Sequence, residues 1–368
     1  MYFVENPKVY DNHSFLHLLG IKSDKVTTDP MHNGAITVFD CYHFNDTKQR
    51  YKIKNLVEER NRKNLTTFII YEYSYETGID DNIVEQYVQE MSQAGLPSSQ
   101  ISFILHDSSK SFIHKTLNKY RFHFLDHFTL KLYSKYKSGE AKSARKSLVD
   151  RKIAINILVA QLHWKKTRLH TLYHLYKKNL LQTAITGILS LKESIQNLEH
   201  EIQDPGFWQW LYNHLGPADD VIVQMGHDAL ISSGFPYSID VYNNTRVSHV
   251  CETLCREMSG PSCFLTEKTY KPILNLSPFV IQGCMGHTEF LKEKGFSVFD
   301  KYIDLDYDKV PFNFDLIPKT VEATRLLLLT TIDYPKEIEM QTQNNFRRLI
   351  DIGKQELTLV KKFLGEKS

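Results

Sequence analysis

The sequence predicts an α/β protein built from two successive parallel-sheet units, and three observations support this fold class. Short runs rich in β-branched and aromatic residues alternate with amphipathic helical segments in the first third of the chain. A lysine-rich polar stretch then breaks the alternation, and a second alternation of strands and helices begins beyond it. The chain has 368 residues, which is long enough for two domains of ordinary size.

The first predicted domain spans residues 1–130. Its strands are expected over residues 35–44, 66–71 and 101–106, each of which is a largely apolar run. Between the last two strands, residues 82–94 carry apolar side chains at helical spacing. A strand, a helix and a second strand in this order predict a βαβ unit of a parallel sheet.

The stretch 131–151 is polar and rich in lysine, and we interpret it as a linker. The second predicted domain spans residues 152–335, and a long amphipathic segment, 336–368, is expected to form a C-terminal helix that packs across the domains. The expected strands of the second domain are 152–160, 184–190, 246–253, 278–282 and 296–299, and its expected helices are 167–179, 191–202, 206–215, 268–276 and 287–294.

The aromatic residues of segment 206–215 allow two interpretations. Phe207, Trp208 and Trp210 could stack on a base or a sugar. Packing between helices is the favoured interpretation, because aromatic clusters in helices usually belong to the core.

Composition and charge exclude several classes of protein. A net charge of +2 does not indicate a strongly basic nucleic-acid-binding protein, although it leaves room for a local basic patch. No apolar run approaches the roughly 18 residues of a membrane helix, and the N-terminus lacks the features of a signal peptide. The five cysteines show no CxxC spacing, which is typical of reduced thiols in a cytoplasmic protein.

Charged residues and glycines follow the last strands of the second domain, where ligands of parallel sheets bind. Glu252 follows one strand, Glu267 and Lys268 open the next helix, and Gly283 and Gly286 follow the next strand. A helix N-terminus attracts phosphate through its free N–H groups and its dipole, and Lys268 and Lys271 add positive charge there. The simpler alternative is that Glu267 caps its helix beside Thr266 and that both lysines are solvated.

The chain contains Cys251-Glu-Thr, then Phe264-Leu-Thr-Glu-Lys, then Pro278-Phe-Val-Ile-Gln-Gly, and this order resembles the donor-binding motif of the α1,3-fucosyltransferases. The longer run Thr266-Glu-Lys-Thr-Tyr-Lys-Pro-Ile, followed by Pro278-Phe, the turn Gly283 to Gly286, Leu291-Lys-Glu-Lys-Gly-Phe and Asp304-Leu-Asp-Tyr-Asp, is more similar still to glycosyltransferases found in phages, large viruses and some bacteria. The resemblance covers residues 240–310 well, extends weakly to 153–190, and reaches the N-terminal half only in general form.

The resemblance implies a GT-B-like α/β fold, in which two Rossmann-like domains face a cleft and the C-terminal domain binds a nucleotide-diphosphate sugar. It implies no cofactor and no required metal. The implied donor-binding residues are Arg168, Glu252, Phe264, Thr266, Glu267, Lys268, Lys271, Gly283 and Gly286. Phe264 stands where the fucosyltransferases have Tyr, and Thr253 replaces their Asn, so the resemblance does not imply GDP-fucose. For Arg168, an exposed helix arginine is an equal alternative.

The resemblance also implies that a carboxylate of the N-terminal domain serves as the general base for the acceptor hydroxyl. Glu76 and then Glu72 are the leading candidates because they follow a strand, and Asp40 and Asp107 come next. Each of these acids could equally be a turn or helix cap.

Three further alternatives stay open. The pair Asp304 and Asp306 resembles the metal-binding Asp-x-Asp of GT-A enzymes, but surface turn acids are the favoured interpretation. The acceptor is either a glycan or a hydroxymethylated DNA base, and the basic stretch 131–152 with Arg121, His123 and His127 would track a DNA backbone in the second case. A non-catalytic protein that binds a nucleotide sugar or a glycan and retains the fold is the alternative to an enzyme.

Overall fold

A computed structural model describes fourteen stretches of the chain, and all structural statements refer to them. They are residues 3–5, 19, 26–27, 31, 36–40, 47–73, 80–107, 113–139, 146–160, 166–189, 195–214, 239–252, 265–311 and 313–365. The chain divides into two compact units. The first unit comprises Met1–Ser134 with Ile352–Ser368, and the second comprises Lys135–Asp351.

The first unit contains a six-stranded sheet in which every described pair of strands is parallel. Its strands are β1 (Phe3–Glu5), β2 (Val26–Thr27), β3 (Ile36–Asp40), β4 (Phe68–Tyr73), β5 (Ile101–His106) and β6 (Arg121–Leu125), in the order β2-β1-β3-β4-β5-β6. Every residue of β5 is buried, as expected for a parallel strand covered on both faces. The three strands predicted for this half are therefore confirmed, with shorter described bounds for the first.

Helices α1 (Thr47–Arg62) and α2 (Asp81–Gln93) belong to this first unit. The carboxylate of Asp80 accepts hydrogen bonds from the N–H groups of Asn82 and Ile83, which caps the start of α2. The apolar face of α2 then packs with β5 in one core cluster, because Val84 and Met91 recur at helical spacing. The predicted βαβ unit is thus confirmed at both its strands and its helix.

The stretch predicted as a linker is folded over much of its described length. Helix α3 (His127–Ser138) fills its beginning, and the boundary between the two units falls inside this helix. Leu130 and Leu132 are buried on the helix among the lysines, and this apolar face was hidden by the polar composition. Farther on, Arg151 is buried and donates hydrogen bonds to the backbone oxygens of Thr245 and Leu276.

The second unit contains a four-stranded parallel sheet. Its strands are β7 (Ile153–Ala160), β8 (Ala184–Leu189), β9 (Thr245–Cys251) and β10 (Phe279–Gln282), in the order β8-β7-β9-β10. Among the described strands, β8 therefore lies on one side of β7. Strands β9 and β10 lie on the other side. This reversal is the topological switch point of a doubly wound sheet, and the first unit repeats it between β1 and β3.

Seven helices are described after β7. They are α4 (Lys166–Lys177), α5 (Pro205–His214), α6 (Ile239–Asn244), α7 (Glu267–Leu274), α8 (His287–Glu293), α9 (Ile317–Asp333) and α10 (Pro335–Phe363). Helix α10 confirms the predicted C-terminal helix, and the boundary between the units falls inside it. Helix α9 was not predicted, and it packs against β9, β10 and α4.

One predicted element of the second unit was wrong, and another is described only in part. Residues 296–299 form no strand, and Phe299 has a φ of +64°, which ends any extended run at that residue. The segment predicted as a helix over 191–202 is described from residue 195: Ile195 and Gln196 are helical, a turn follows them, and a 3₁₀ turn covers Glu199–Glu201.

The aromatic helix α5 is part of the core of the second unit. Phe207 and Trp208 are buried, and the indole N–H of Trp208 donates to the carbonyl oxygen of Ile202 at 2.7 Å. The ring of Phe207 also meets those of Tyr173 and Tyr176 of α4 edge-on. The interpretation as helix packing is therefore confirmed for these two residues. No helix within the described stretches is both long and apolar enough to cross a membrane.

Candidate functional site

The candidate site lies at the carboxyl ends of β7, β9 and β10, around the switch point of the second sheet. Cys251, the last residue of β9, pairs in register with Gln282, the last residue of β10. The N–H of Glu252 extends this pairing by donating to the carbonyl oxygen of Gln282 at 2.9 Å. Ligands of doubly wound sheets bind outside this edge, so side chains that follow these strands are candidates for ligand contacts.

Glu252 is the buried centre of the site, with an exposed fraction of 1 %. One carboxylate oxygen accepts hydrogen bonds from the N–H of Thr266 at 3.2 Å and from the hydroxyl of Thr269 at 2.6 Å. The other accepts from the hydroxyl of Thr266 at 2.6 Å. These bonds fix the start of α7 against the end of β9. Glu252 therefore positions the first turn of α7, and its carboxylate is not exposed to solvent.

Thr266 caps α7 and thereby places the charged pair that follows it. Its hydroxyl oxygen accepts a hydrogen bond from the N–H of Lys268 at 3.3 Å. The ammonium of Lys268 lies 3.1 Å from a carboxylate oxygen of Glu267, and the two side chains are 28 % and 16 % exposed. Both charged groups are thus reachable from solvent at the edge of the sheet. The prediction that they stand together at a helix start is confirmed.

The electrostatics of α7 keep Glu267 ionised. Burial alone would raise the pKa of this carboxyl, but the positive charges of Lys268 and Lys271 outweigh burial and lower it. Lys271 lies one turn farther along the helix and is buried, so the alternative that it is solvated is wrong. Burial lowers the pKa of Lys271 to about 8, against the opposing effect of Glu267. The buried ammonium of Lys271 therefore helps to keep the carboxyl of Glu267 ionised.

Arg168 lies in the first turn of α4, which follows β7 across the switch point from Glu252. Its exposed fraction is only 5 %, so the alternative of an exposed helix arginine is wrong. Burial raises the pKa of the Cys251 thiol to about 12, and the charge of Arg168 opposes this effect. Arg168 is therefore a buried cation in the first turn of the helix that follows β7, beside the switch point.

The turn between β10 and α8 has glycines for reasons of packing and backbone conformation. A Cβ atom built on Gly283 would lie 2.0 Å from Nδ1 of the buried His287 ring. Gly286 has a φ of +85°, which favours glycine, and its N–H donates to the carbonyl oxygen of Asp308 at 2.8 Å. Both glycines of the turn are therefore explained by contacts inside the protein.

Asp308 is a buried acid that caps a helix, a role that the sequence did not indicate. Its carboxylate accepts hydrogen bonds from the N–H of Thr288 at 2.8 Å and from the Thr288 hydroxyl at 2.5 Å, so it caps the start of α8. Burial raises the pKa of Asp308 to about 6. A capping side chain twenty residues away from its partner leaves no local signal, and only the motif Asp304-Leu-Asp-Tyr-Asp drew attention to this segment.

Asp304 and Asp306 form a surface turn. A carboxylate oxygen of Asp304 accepts the N–H of Asp306 at 2.8 Å, and Asp306 pairs with Lys309 at 2.7 Å. Both acids are exposed, which agrees with the interpretation as surface turn acids. Within the described stretches, no group of three or more His, Cys, Asp and Glu side chains is arranged to hold a metal ion.

The structure describes only some of the predicted general bases and donor-binding residues. Glu76 and Phe264 lie outside the described residues. The backbone of Glu72 pairs in register with that of Asp40 near the ends of β4 and β3. Asp107 follows β5, and its carboxylate lies 3.2 Å from Nδ1 of the buried His106.

The basic stretch considered for DNA binding is partly inside the protein. Lys131 and His127 are buried on α3. Arg121 is exposed, but its guanidinium lies 4.2 Å from the centre of the Phe363 ring and donates to the carbonyl oxygen of Phe363. These three side chains are thus engaged within the first unit, which does not favour a continuous phosphate-tracking surface.

The fold and the site define an α/β protein of two parallel-sheet units, compatible with a Rossmann-like fold, with a charged edge at the switch point of the second sheet. Comparison with protein-family models, with curated proteins and with solved structures finds no match to this chain. The chemistry of the site is therefore the basis on which its function is argued.

Proposed function

We propose that this chain is a glycosyltransferase that moves a sugar from a nucleotide-diphosphate sugar to a hydroxyl acceptor. The observation that carries the proposal is the arrangement around the switch point of the second sheet. There Arg168 follows β7, while Glu252 braces Thr266 so that Glu267 and Lys268 open α7 on the other side. The order of motifs that resembles glycosyltransferases of phages, large viruses and bacteria supports the same assignment.

The charges of this edge suit a diphosphate ester. A leaving nucleoside diphosphate gains negative charge as the sugar departs, and nearby cations stabilise that charge. Lys268 and Arg168 supply the cations in the proposal, and the N-terminus of α7 adds its dipole. Glu267 stays ionised and accepts hydrogen bonds from sugar or ribose hydroxyls.

The transfer itself exchanges one bond for another. The acceptor oxygen bonds to the anomeric carbon, the bond from that carbon to the diphosphate oxygen breaks, and the nucleoside diphosphate leaves with the electron pair. A carboxylate takes the acceptor proton, and the proposal keeps Glu76 and then Glu72 in this role on the basis of the resemblance. Among acceptors, a glycan is preferred to a hydroxymethylated DNA base because Lys131 and His127 are buried.

A ligand screen tests the proposal. The thermal midpoint of the chain would be measured with UDP, GDP, CDP, dTDP and the corresponding nucleotide sugars. A ligand that binds only the folded state raises the midpoint, and at a hundredfold excess over Kd it adds about 2.7 kcal/mol of stability. We expect a rise with one nucleotide and its sugars, and no rise with any of them would overturn the proposal.

Sugar release then separates an enzyme from a binding protein. With the nucleotide sugar that binds best, we expect slow formation of free sugar and nucleoside diphosphate, because water can replace a missing acceptor. Binding without any release or transfer, even with glycan acceptors present, would support the non-catalytic alternative.

A further inference from the structure

An aromatic pair, Phe314 and His170, lies beside the second sheet and is partly exposed. The ring of Phe314 meets the ring of His170 edge-on, with 4.7 Å between the ring centres. Phe314 is 45 % exposed, although large aromatic side chains are usually covered. His170 is half-buried at the beginning of the second turn of α4, two residues beyond Arg168.

The backbone that carries Phe314 forms a capped 3₁₀ turn. The side-chain oxygen of Asn313 accepts the N–H of Asp315 at 2.9 Å and so caps the 3₁₀ turn Phe314–Leu316. Leu316 and Ile317 anchor the other end of this turn because both are buried. An exposed ring on a fixed backbone loses little conformational entropy when a flat ligand covers it.

Hydrogen bonds at Gln282 join the helices that carry or follow the aromatic pair to the strand end beside Glu252. The side-chain oxygen of Gln282 accepts from the Thr171 hydroxyl at 2.8 Å and from the Thr320 hydroxyl at 3.2 Å, which ties the second turn of α4 and the first turn of α9 to the end of β10. The backbone of Gln282 in turn accepts the N–H of Glu252. His170 adjoins Thr171 in sequence, and the Phe314 turn leads directly into α9.

We propose that Phe314, supported edge-on by His170, is the platform on which the base of the nucleotide sugar stacks. The inference rests on the proposed function, and it assigns the base to the α4–α9 side of the edge and the diphosphate to Arg168 and Lys268. Every base has an aromatic face, and stacking on a protein ring is tolerant of base identity. Burial lowers the pKa of His170, against the opposing charge of Glu201, so the supporting ring is neutral at pH 7.

The test measures Kd by calorimetry for the nucleoside diphosphate that stabilises the wild-type chain best. Loss of base stacking weakens binding by about 5- to 150-fold, so Phe314→Ala should show a loss in this range. Phe314→Trp should keep the affinity, because the larger ring offers the same face. His170→Phe should also keep it, since an edge-on ring remains.

Val310→Ala is the matched control. Val310 is also an exposed apolar residue of this region, and its truncation should leave Kd unchanged. The thermal midpoints of all variants without ligand show whether each one is folded. We also expect Phe314→Ala to weaken the nucleoside diphosphate and its sugar by equal factors.

The outcomes separate the two proposals. Wild-type binding that Phe314→Ala leaves unchanged would overturn the platform and leave the proposed function intact. A loss confined to the nucleotide sugar would also overturn it, because the ring would then hold the sugar. Absence of nucleoside diphosphate binding by the wild-type chain would overturn both.

Discussion

The hydroxyl of Thr266 donates a 2.6 Å hydrogen bond to the buried carboxylate of Glu252 and thereby joins the start of α7 to the end of β9. The N–H of Thr266 donates to the other oxygen of the same carboxylate. Two residues fourteen positions apart thus set the position of Glu267 and Lys268. The stability of this joint and the affinity of the proposed site should therefore change together.

Glu252→Gln tests this joint. A glutamine amide can replace only one accepting oxygen, so at least one buried donor among Thr266 and Thr269 loses its partner. An unsatisfied buried donor costs about 1–3 kcal/mol, and we expect the free energy of unfolding in urea to fall by that amount. Glu289→Gln, at an exposed position, should change it by less than about 0.5 kcal/mol. Equal stability of the two variants would contradict the role of Glu252.

Gly283→Ala tests the packing of the turn before α8. The new methyl group would overlap the buried ring of His287, so we expect a loss of about 1–3 kcal/mol in the free energy of unfolding. The double variant Gly283→Ala with His287→Ala removes the obstructing ring. Its loss should be smaller than the sum of the two single losses in a double-mutant cycle. Simple additivity would show that the two residues do not meet.

The pH dependence of stability tests the burial of Asp308. Its pKa is raised from 3.8 to about 6 in the folded state, so protonation favours folding. The stability that protonated Asp308 contributes is fully present below pH 3.8 and is lost as the pH rises through about 6. A shift of this size corresponds to about 2–3 kcal/mol.

Asp308→Asn removes this titration and keeps an accepting oxygen for Thr288. The free energy of unfolding of the variant minus that of the wild type should therefore rise between pH 4 and pH 7. Asp306→Asn serves as the control, because Asp306 is exposed and its pKa is lowered by Lys309. A flat difference for Asp308→Asn would mean that the carboxylate is not buried in solution.

Phe207→Ala separates core packing from ligand binding in α5. Truncation of a buried Phe costs about 3–5 kcal/mol, and we expect a loss of that size in urea unfolding. The affinity for a nucleoside diphosphate should stay the same at temperatures where the variant is folded. A stable variant with weakened ligand binding would instead favour the interpretation that these aromatics stack on the ligand.

Local signals in the sequence predicted the elements that depend on neighbours along the chain. Apolar spacing over 82–94 identified α2, whose start Asp80 caps in the structure, and the predicted helix over 287–294 corresponds to α8, which ends before Gly295 with its φ of +86°. The start of α7 was predicted from the Thr-Glu-Lys order, because capping and charge act within one turn of the helix.

Features that depend on distant contacts could not be predicted in this way. Helix α9 begins beside a proline and is rich in threonine, a weak helix former, and it is stabilised by packing on β9 and β10. Its Thr320 reaches Gln282 and its Thr324 hydroxyl lies 2.8 Å from Nδ1 of His249, contacts that no sequence spacing indicates. The contact between Phe314 and His170 could not be predicted for the same reason, because the two residues lie far apart in the chain.

The central claim is tested most directly by the effect of Lys268→Ala on Kd for the preferred nucleoside diphosphate, measured by calorimetry beside the wild type and Lys292→Ala. A charge-assisted hydrogen bond contributes about 1.5–3 kcal/mol, so we predict a Kd about 10- to 150-fold weaker for Lys268→Ala. Lys292 lies on α8 and pairs with Asp300, which follows that helix, so its loss should leave Kd unchanged. The same Kd for Lys268→Ala and wild type would contradict a diphosphate site at the start of α7.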